Sequence, residues 1–163
     1  MQVLPTNWAS VHSNHGYISV STSSGYRACA LDLNGEHIVL SENCSDEELA
    51  NALLAALDES RVLSVEEIPE FFNASKVESR YEKWVDNLLK KFGGMSRRKA
   101  FAKMKHCNVV VLSNKLKFRP NKKERGEAWS GKGFTELDNV ELPYESTPKE
   151  IGAALKMVLS KCK

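Results

Sequence analysis

The stretch YRACALDLNGEHIVLSENCSDEELANALLAALDES, residues 26–60, carries two kinds of periodicity in one run. Residues 26–33 and 36–41 are apolar and partly alternating. Between them stands Asn34-Gly35, the dipeptide that best tolerates the positive backbone angles of a type I′ turn, so the two segments are predicted to form a hairpin. Ser45 then precedes Glu48 by three residues, a capping box at the head of an acidic first turn, and Leu49, Leu53, Ala56 and Leu57 share one helical face. That face is expected to lie on the sheet, with Asp46, Glu47 and Asp58 toward water.

The flanking sequence extends this pattern in both directions. Upstream, GYISVST (16–22) alternates Ile18 and Val20 with small polar residues, as a half-buried strand does. Downstream, RVLSVEEIPEFFNA (61–74) is irregular, acidic and aromatic. A second capping box, Ser75 with Glu78, opens a helix that runs through Val77, Tyr81, Trp84, Val85, Leu88, Leu89 and Phe92 to the stop Gly93-Gly94. A shorter helix is expected after Ser96, with Arg97, Arg98 and Lys99 set against the helix dipole. NVVVL and KLKFR, separated by Ser113-Asn114, predict a second hairpin. Its Leu116 and Phe118 face inward, while Lys115, Lys117 and Arg119 stay wet and guard an edge. Finally Thr147, Pro148 and Glu150 cap a helix whose Ile151, Ala154, Leu155, Val158, Leu159 and Cys162 form one stripe. The fold class that follows is α+β: a single domain over residues 1–163, with a mainly antiparallel β-sheet packed against several α-helices and closed by a C-terminal helix.

Composition narrows the function classes. The 163 residues are 42% hydrophobic and 27% charged, ordinary for one soluble globular domain. No segment approaches the roughly 20 apolar residues that cross a bilayer and no secretory leader opens the chain, so the cytoplasm is expected. Cys29, Cys44, Cys107 and Cys162 lack CxxC spacing and read as reduced thiols. The net charge of +2 conceals a separation: residues 1–70 hold eleven Asp/Glu against two Lys/Arg, and residues 87–132 hold fourteen Lys/Arg against Glu124 and Glu127. Charge blocks of this kind mark either a charged partner or a solvated face.

The search for chemistry returns little. RPNKKERGEAWSGKGF (119–134) has glycines and cations, but Gly131-Lys132-Gly133-Phe134 lacks the Lys-Ser/Thr and the helix that a phosphate loop requires. His12 and His15 are spaced as metal ligands on one helix face are, yet Gly16 and the neighbouring Ser and Asn favour a loop, and no third ligand is fixed nearby. His37 and His106 fall in sheet-adjacent segments and read as structural imidazoles. No nucleophile elbow or paired acid and base is visible, so neither catalysis nor a cofactor or metal is expected. A basic RNA- or DNA-binding module is the alternative reading, with Lys115, Lys117, Arg119, Lys122, Lys123 and Arg125 on phosphates and Trp129 or Phe134 stacking on a base.

Three blocks, ACALDLNGEHIVLSENCSDEELANALLAALDESR, RRKAFAKMKHCNVVVLSNKLKFRPNKKERGEAWSGKG and VELPYESTPKEIGAALKMVLSKC, together well over half of the chain, resemble the CdiI immunity proteins of contact-dependent growth inhibition systems in Gram-negative bacteria. The resemblance implies a non-enzymatic cytoplasmic inhibitor. Its partner would be the C-terminal toxin domain of a cognate CdiA protein, bound one to one, and the toxin would be a nuclease, with RNA the first substrate to expect. It also implies that Trp129, Gly131 and the Thr147-Pro148 cap bear the fold. The contact surface does not carry over, because immunity proteins are matched to individual toxins. A nuclease groove is electropositive, so the acidic half is the expected contact: Asp58, Glu59, Glu66, Glu67 and Glu70, with Phe71 and Phe72 as apolar anchors.

Overall fold

The computed structural model describes residues 2–163. Strand β1 (Asn7–Asn14) is central and pairs antiparallel with β2 (Tyr17–Gly25) on one side and β5 (Lys105–Leu112) on the other. β5 pairs with β6 (Lys115–Pro120) and β6 with β9 (Val140–Pro143). The far edge is shared by β3 (Cys29–Leu31) and β4 (His37–Ser41), both on β2, so the sheet has seven strands and every pairing is antiparallel.

The expected hairpin at Asn34-Gly35 does not form. β3 and β4 run in the same direction along β2, Leu31 opposite Ser23 and His37 opposite Ser21, as two pieces of one interrupted edge strand. Neither Asn34 nor Gly35 takes a positive φ. Residues 32–36 instead bulge around Thr22, which accepts from the Glu36 amide (2.9 Å) and donates to the Ala56 carbonyl (2.7 Å). A Cβ on Gly35 would lie 2.3 Å from that of Thr22, so close approach is what requires the glycine. The hairpin β3 belongs to is the one with β2, turning at residues 26–28. The Ser113-Asn114 hairpin does form, with both residues at positive φ (51° and 61°) as a type I′ turn demands.

One face of the sheet is sealed by α1 (Asp46–Asp58) and α5 (Pro148–Lys161), whose expected stripes are buried against Val11, Val20, Val109, Leu116 and Phe118. Ser45 accepts from the Glu48 amide (3.1 Å) and Thr147 from that of Glu150 (3.2 Å), so both helices start where their caps predict. The two helices touch closely: a Cβ on Gly152 would meet the Asp46 carbonyl oxygen at 2.0 Å. Asp46 is accordingly half-buried, not turned to water, and pairs with Lys156 at 2.9 Å.

On the other face, α3 (Ala74–Lys91) and α4 (Arg97–Phe101) cover one end only, burying Trp84, Val85, Leu88, Phe92 and Phe101. The cap of α3 is Asn73, whose Oδ1 accepts from the Ser75 and Lys76 amides, and not Ser75; an Asx turn places the start two residues earlier than the Ser-Glu spacing suggests. The lysines of β6 do not guard an edge, because β9 covers it and Lys117 is bound at 2.7 Å to Glu136.

Candidate functional site

The acidic segment follows α1. Ser60 is buried and anchors it, accepting from the Trp8 amide (2.8 Å) and donating to the Ser23 carbonyl (2.5 Å). Beyond it, Arg61 reaches both Glu67 (2.7 Å) and the buried Asp32 (3.4 Å). Glu67 also accepts from the Ser64 amide (2.9 Å), and that bond with Arg61 beside it pulls the carboxyl down to about 2. Glu70 is paired with Lys76. Asp58, Glu59 and Glu66 are exposed and have no ion-pair partner among the described residues, so the uncompensated negative charge sits there.

The two phenylalanines fall differently. The short helix α2 (Ile68–Phe71) turns Phe71 inward, 8% exposed, with the Arg80 guanidinium 4.1 Å above its ring. Arg80 further donates to the carbonyls of Phe71 (2.6 Å) and Leu31 (2.9 Å), so Phe71 pins the segment to β3. Phe72 is half-buried against it, edge to face. The apolar groups that the segment presents outward are Val62 and Val65, 47% and 75% exposed, which sequence reasoning missed. Two valines flanking Ser64 in an acidic stretch with no periodic partner were the available signal.

One group of basic residues gathers at the far end of β1. β1 begins beside the acidic segment, where Asn7 donates to the Leu57 carbonyl (2.8 Å), and ends beside α4, where Asn14 donates to those of Ala100 (2.8 Å) and Ala102 (2.6 Å). Its eight residues hold the two ends about 23 Å apart. Arg98, Lys99, Lys103 and Lys105 sit at the second end. There the 119–134 loop forms the small hairpin of β7 (Lys122–Lys123) and β8 (Trp129–Ser130), tied to the C-terminal Lys163 at 2.7 Å. Trp129 donates to the Met104 carbonyl (2.8 Å), and Arg97 joins Glu82 and Glu127 at 2.7 Å each. The glycine-rich loop is therefore architecture with a wet basic side, and the charge blocks of the sequence separate only in part in space, since Glu42 bonds to Gly16 at the same end of the sheet and Asp46 pairs with Lys156.

Between these ends lies a cleft of about 420 Å³ over the uncovered part of the sheet. Ser10, Ser23 and Asn108 floor it, Cys29–Leu31 of the edge strand form one wall, and Trp84, Glu127 and Trp129 form the other. His12 and His106 stand at its inner end, ring centroids 4.4 Å apart and packed on Trp129. His12 is in strand β1, not in a loop, and is buried; only His15 sits in the turn beside Gly16. Burial holds His106 at about 4, and burial, with His106 as a lesser cause, holds His12 well below the ordinary imidazole value. Both are neutral at pH 7. His106 Nδ1 pairs with Asn121 at 2.9 Å, whereas His12 Nδ1 is buried with no hydrogen-bond partner among the described residues. No group of three metal-binding side chains occurs among the described residues, and no helix there is long and apolar enough to cross a membrane.

The fold is an α+β domain whose sheet is sealed on one face and leaves a polar cleft on the other. The family model for CdiI, the CDI immunity protein, matches residues 7–162, and this chain belongs to that family. It is 32% identical over 173 residues to the immunity protein CdiI-YPIII of Yersinia pseudotuberculosis serotype O:3, covering 99% of this chain and 98% of that protein. Among solved structures it is similar to a chain of the CdiA-CT/CdiI toxin and immunity complex from Yersinia pseudotuberculosis (TM-score 0.90, 32% identity, 99% of this chain and 100% of that one). It is equally similar to a protein of unknown function from Neisseria meningitidis (TM-score 0.90, 30% identity, 100% and 99%).

Proposed function

We propose that this chain binds the C-terminal toxin domain of a cognate CdiA protein, one to one, and neutralises it in the cytoplasm by closing the toxin's active site, without turnover of its own. The observation that carries the reading is the likeness, over essentially the whole of both chains, to a member of a solved toxin and immunity complex. The toxin is taken to be a nuclease acting on RNA. An electropositive groove of that kind is complementary to the acidic segment, in which Asp58, Glu59 and Glu66 carry free charge and Glu67 and Glu70 carry charge shared with Arg61 and Lys76. Phe72 contributes at the rim, with Phe71 as the post beneath it. The cleft favours a second contact on the same toxin, since a three-residue edge strand beside an uncovered polar face is a place where another chain can add backbone hydrogen bonds.

The test is reconstitution with the toxin domain encoded beside this chain. A one-to-one complex on co-purification, and loss of toxin activity when the chain is added, are expected. RNA and DNA substrates assayed in parallel decide the nuclease assignment separately. Failure to protect cells expressing that toxin would overturn the reading. The variant D58K/E59K/E66K should weaken binding at least tenfold and lower the association rate most at low salt. An unchanged rate would remove the acidic segment from the interface while leaving the inhibitor assignment standing.

A further inference from the structure

Arg119 lies on the open face of β6, opposite Asn108 of β5. It is half-buried and forms no hydrogen bond or ion pair among the described residues. Its charge reaches Cys29 across the face and Glu136 on the near side, but Glu136 is already bound to Lys117. Arg27, in the turn between β2 and β3, is also without an ion pair; its guanidinium stands 6.0 Å from the Tyr26 ring centre. Both arginines line one depression of about 370 Å³, completed by the N-terminal residues Gln2–Pro5 and Leu112, and no carboxylate lines it.

Two arginines lining one concavity that holds no carboxylate make it a favourable seat for an anion. Three other arginines have such a partner or a carbonyl: Arg61 has Asp32 and Glu67, Arg97 has Glu82 and Glu127, and Arg80 has the carbonyls of Leu31 and Phe71. A planar fork of donors on a sheet face also fits a carboxylate in two-point fashion, which a lysine would not. We propose that Arg27 and Arg119 receive a carboxylate side chain of the bound toxin, and that this pairing selects the cognate partner. The proposal rests on the toxin-binding reading above. The acidic segment supplies attraction at one end of the molecule, and the arginine pair supplies the register in which the toxin sits on the open face. An immunity protein meeting a toxin that lacks the acid would cover the half-buried Arg119 and the exposed Arg27 without pairing either, a penalty against the wrong partner.

The experiment uses the full chain and its cognate toxin domain with the toxin's nuclease activity disabled, and affinity is read by calorimetry. R119Q should weaken binding about 10- to 100-fold and R27Q/R119Q further, with urea midpoints nearly unchanged because neither side chain makes a hydrogen bond or ion pair among the described residues. Toxin Asp and Glu residues are then changed one at a time to the amide. One of them should weaken binding to the wild-type chain by a similar factor and leave binding to R119Q untouched. Wild-type affinity in folded R27Q/R119Q, or the absence of any toxin carboxylate coupled to Arg119, overturns the arginine pair. Absence of binding by the wild-type chain overturns the toxin-binding reading itself.

Discussion

The two faces of the sheet are made by the same strands and serve opposite ends. Along β1, Ala9 and Val11 point to the α1/α5 side and are sealed, while Ser10 and His12 point to the other side, where α3 and α4 cover only part of the surface. On β5 the alternation is Cys107, Val109 and Val111 against His106 and Asn108. On β6 it is Leu116 and Phe118 against Lys117 and Arg119. The apolar face holds the domain together, so the polar face is free to vary with the partner. The sharpest way to break that division is at Phe118, fully buried between α5 and the strands. Phe118→Ala should cost about 3 to 5 kcal/mol, through lost transfer energy and the cavity left behind, as measured by urea unfolding.

The next effect comes from where the two halves of the polar face meet. His106, at the inner end of the cleft, is held at about 4 by burial, against an ordinary 6.5, and His12 is displaced in the same direction. Below pH 6.5 the unfolded chain therefore binds protons that the folded chain refuses. Stability is complete above that value and falls as the pH drops toward 4. For His106 alone the loss between pH 6.5 and 4.5 is about 2 to 3 kcal/mol. The carboxylates with lowered values, Glu67 first among them, lose their contribution only below about 4.5, so the two windows separate. Urea midpoints at pH 7.5, 6.5, 5.5 and 4.5 should decline, and His106→Asn should flatten the decline. A flat wild-type profile would show that the imidazoles reach water.

How far the sequence revealed all this follows the same division. The helices α1 and α5 and the β5/β6 hairpin were legible because each carries a complete local signal: a cap, a stripe, or a turn dipeptide whose backbone the flanking strands accept. Asn34-Gly35 carried the same signal and misled, since Thr22 on a neighbouring strand captures the backbone that the turn would have used. Strand β1 was missed because its polar side reads as Ser, His and Asn, residues that suggest a loop until the buried Ala9 and Val11 are seen opposite α1. The acidic carboxylates could be found from composition, but not which of them Arg61 and Lys76 would neutralise, nor that Phe71 would be pinned under Arg80. The cleft was invisible, because its walls come from residues 29–31, 84 and 127–129, which only the topology brings together.

Adjacent residues of β1 give the finest test. Val11 is fully buried, and truncation to alanine removes two methyl groups from a sealed layer, at a cost of about 2 kcal/mol. Ser10, the next residue back, has one side-chain hydrogen-bond contact among the described residues, Ser23, with the two hydroxyl oxygens 3.4 Å apart on the floor of the cleft. That contact is long enough to be nearly worthless, and Ser10→Ala leaves no cavity because the group faces open space. Its unfolding free energy should therefore stay within about 0.5 kcal/mol of wild type. Larger side chains at the same position, Ser10→Phe for example, should be tolerated almost as well by the isolated chain yet obstruct a toxin segment that enters the cleft. A strong destabilisation by Ser10→Phe would mean that this face is closed in the free protein, and the contrast between the two sides of the sheet would then fail at the position where it is drawn most finely.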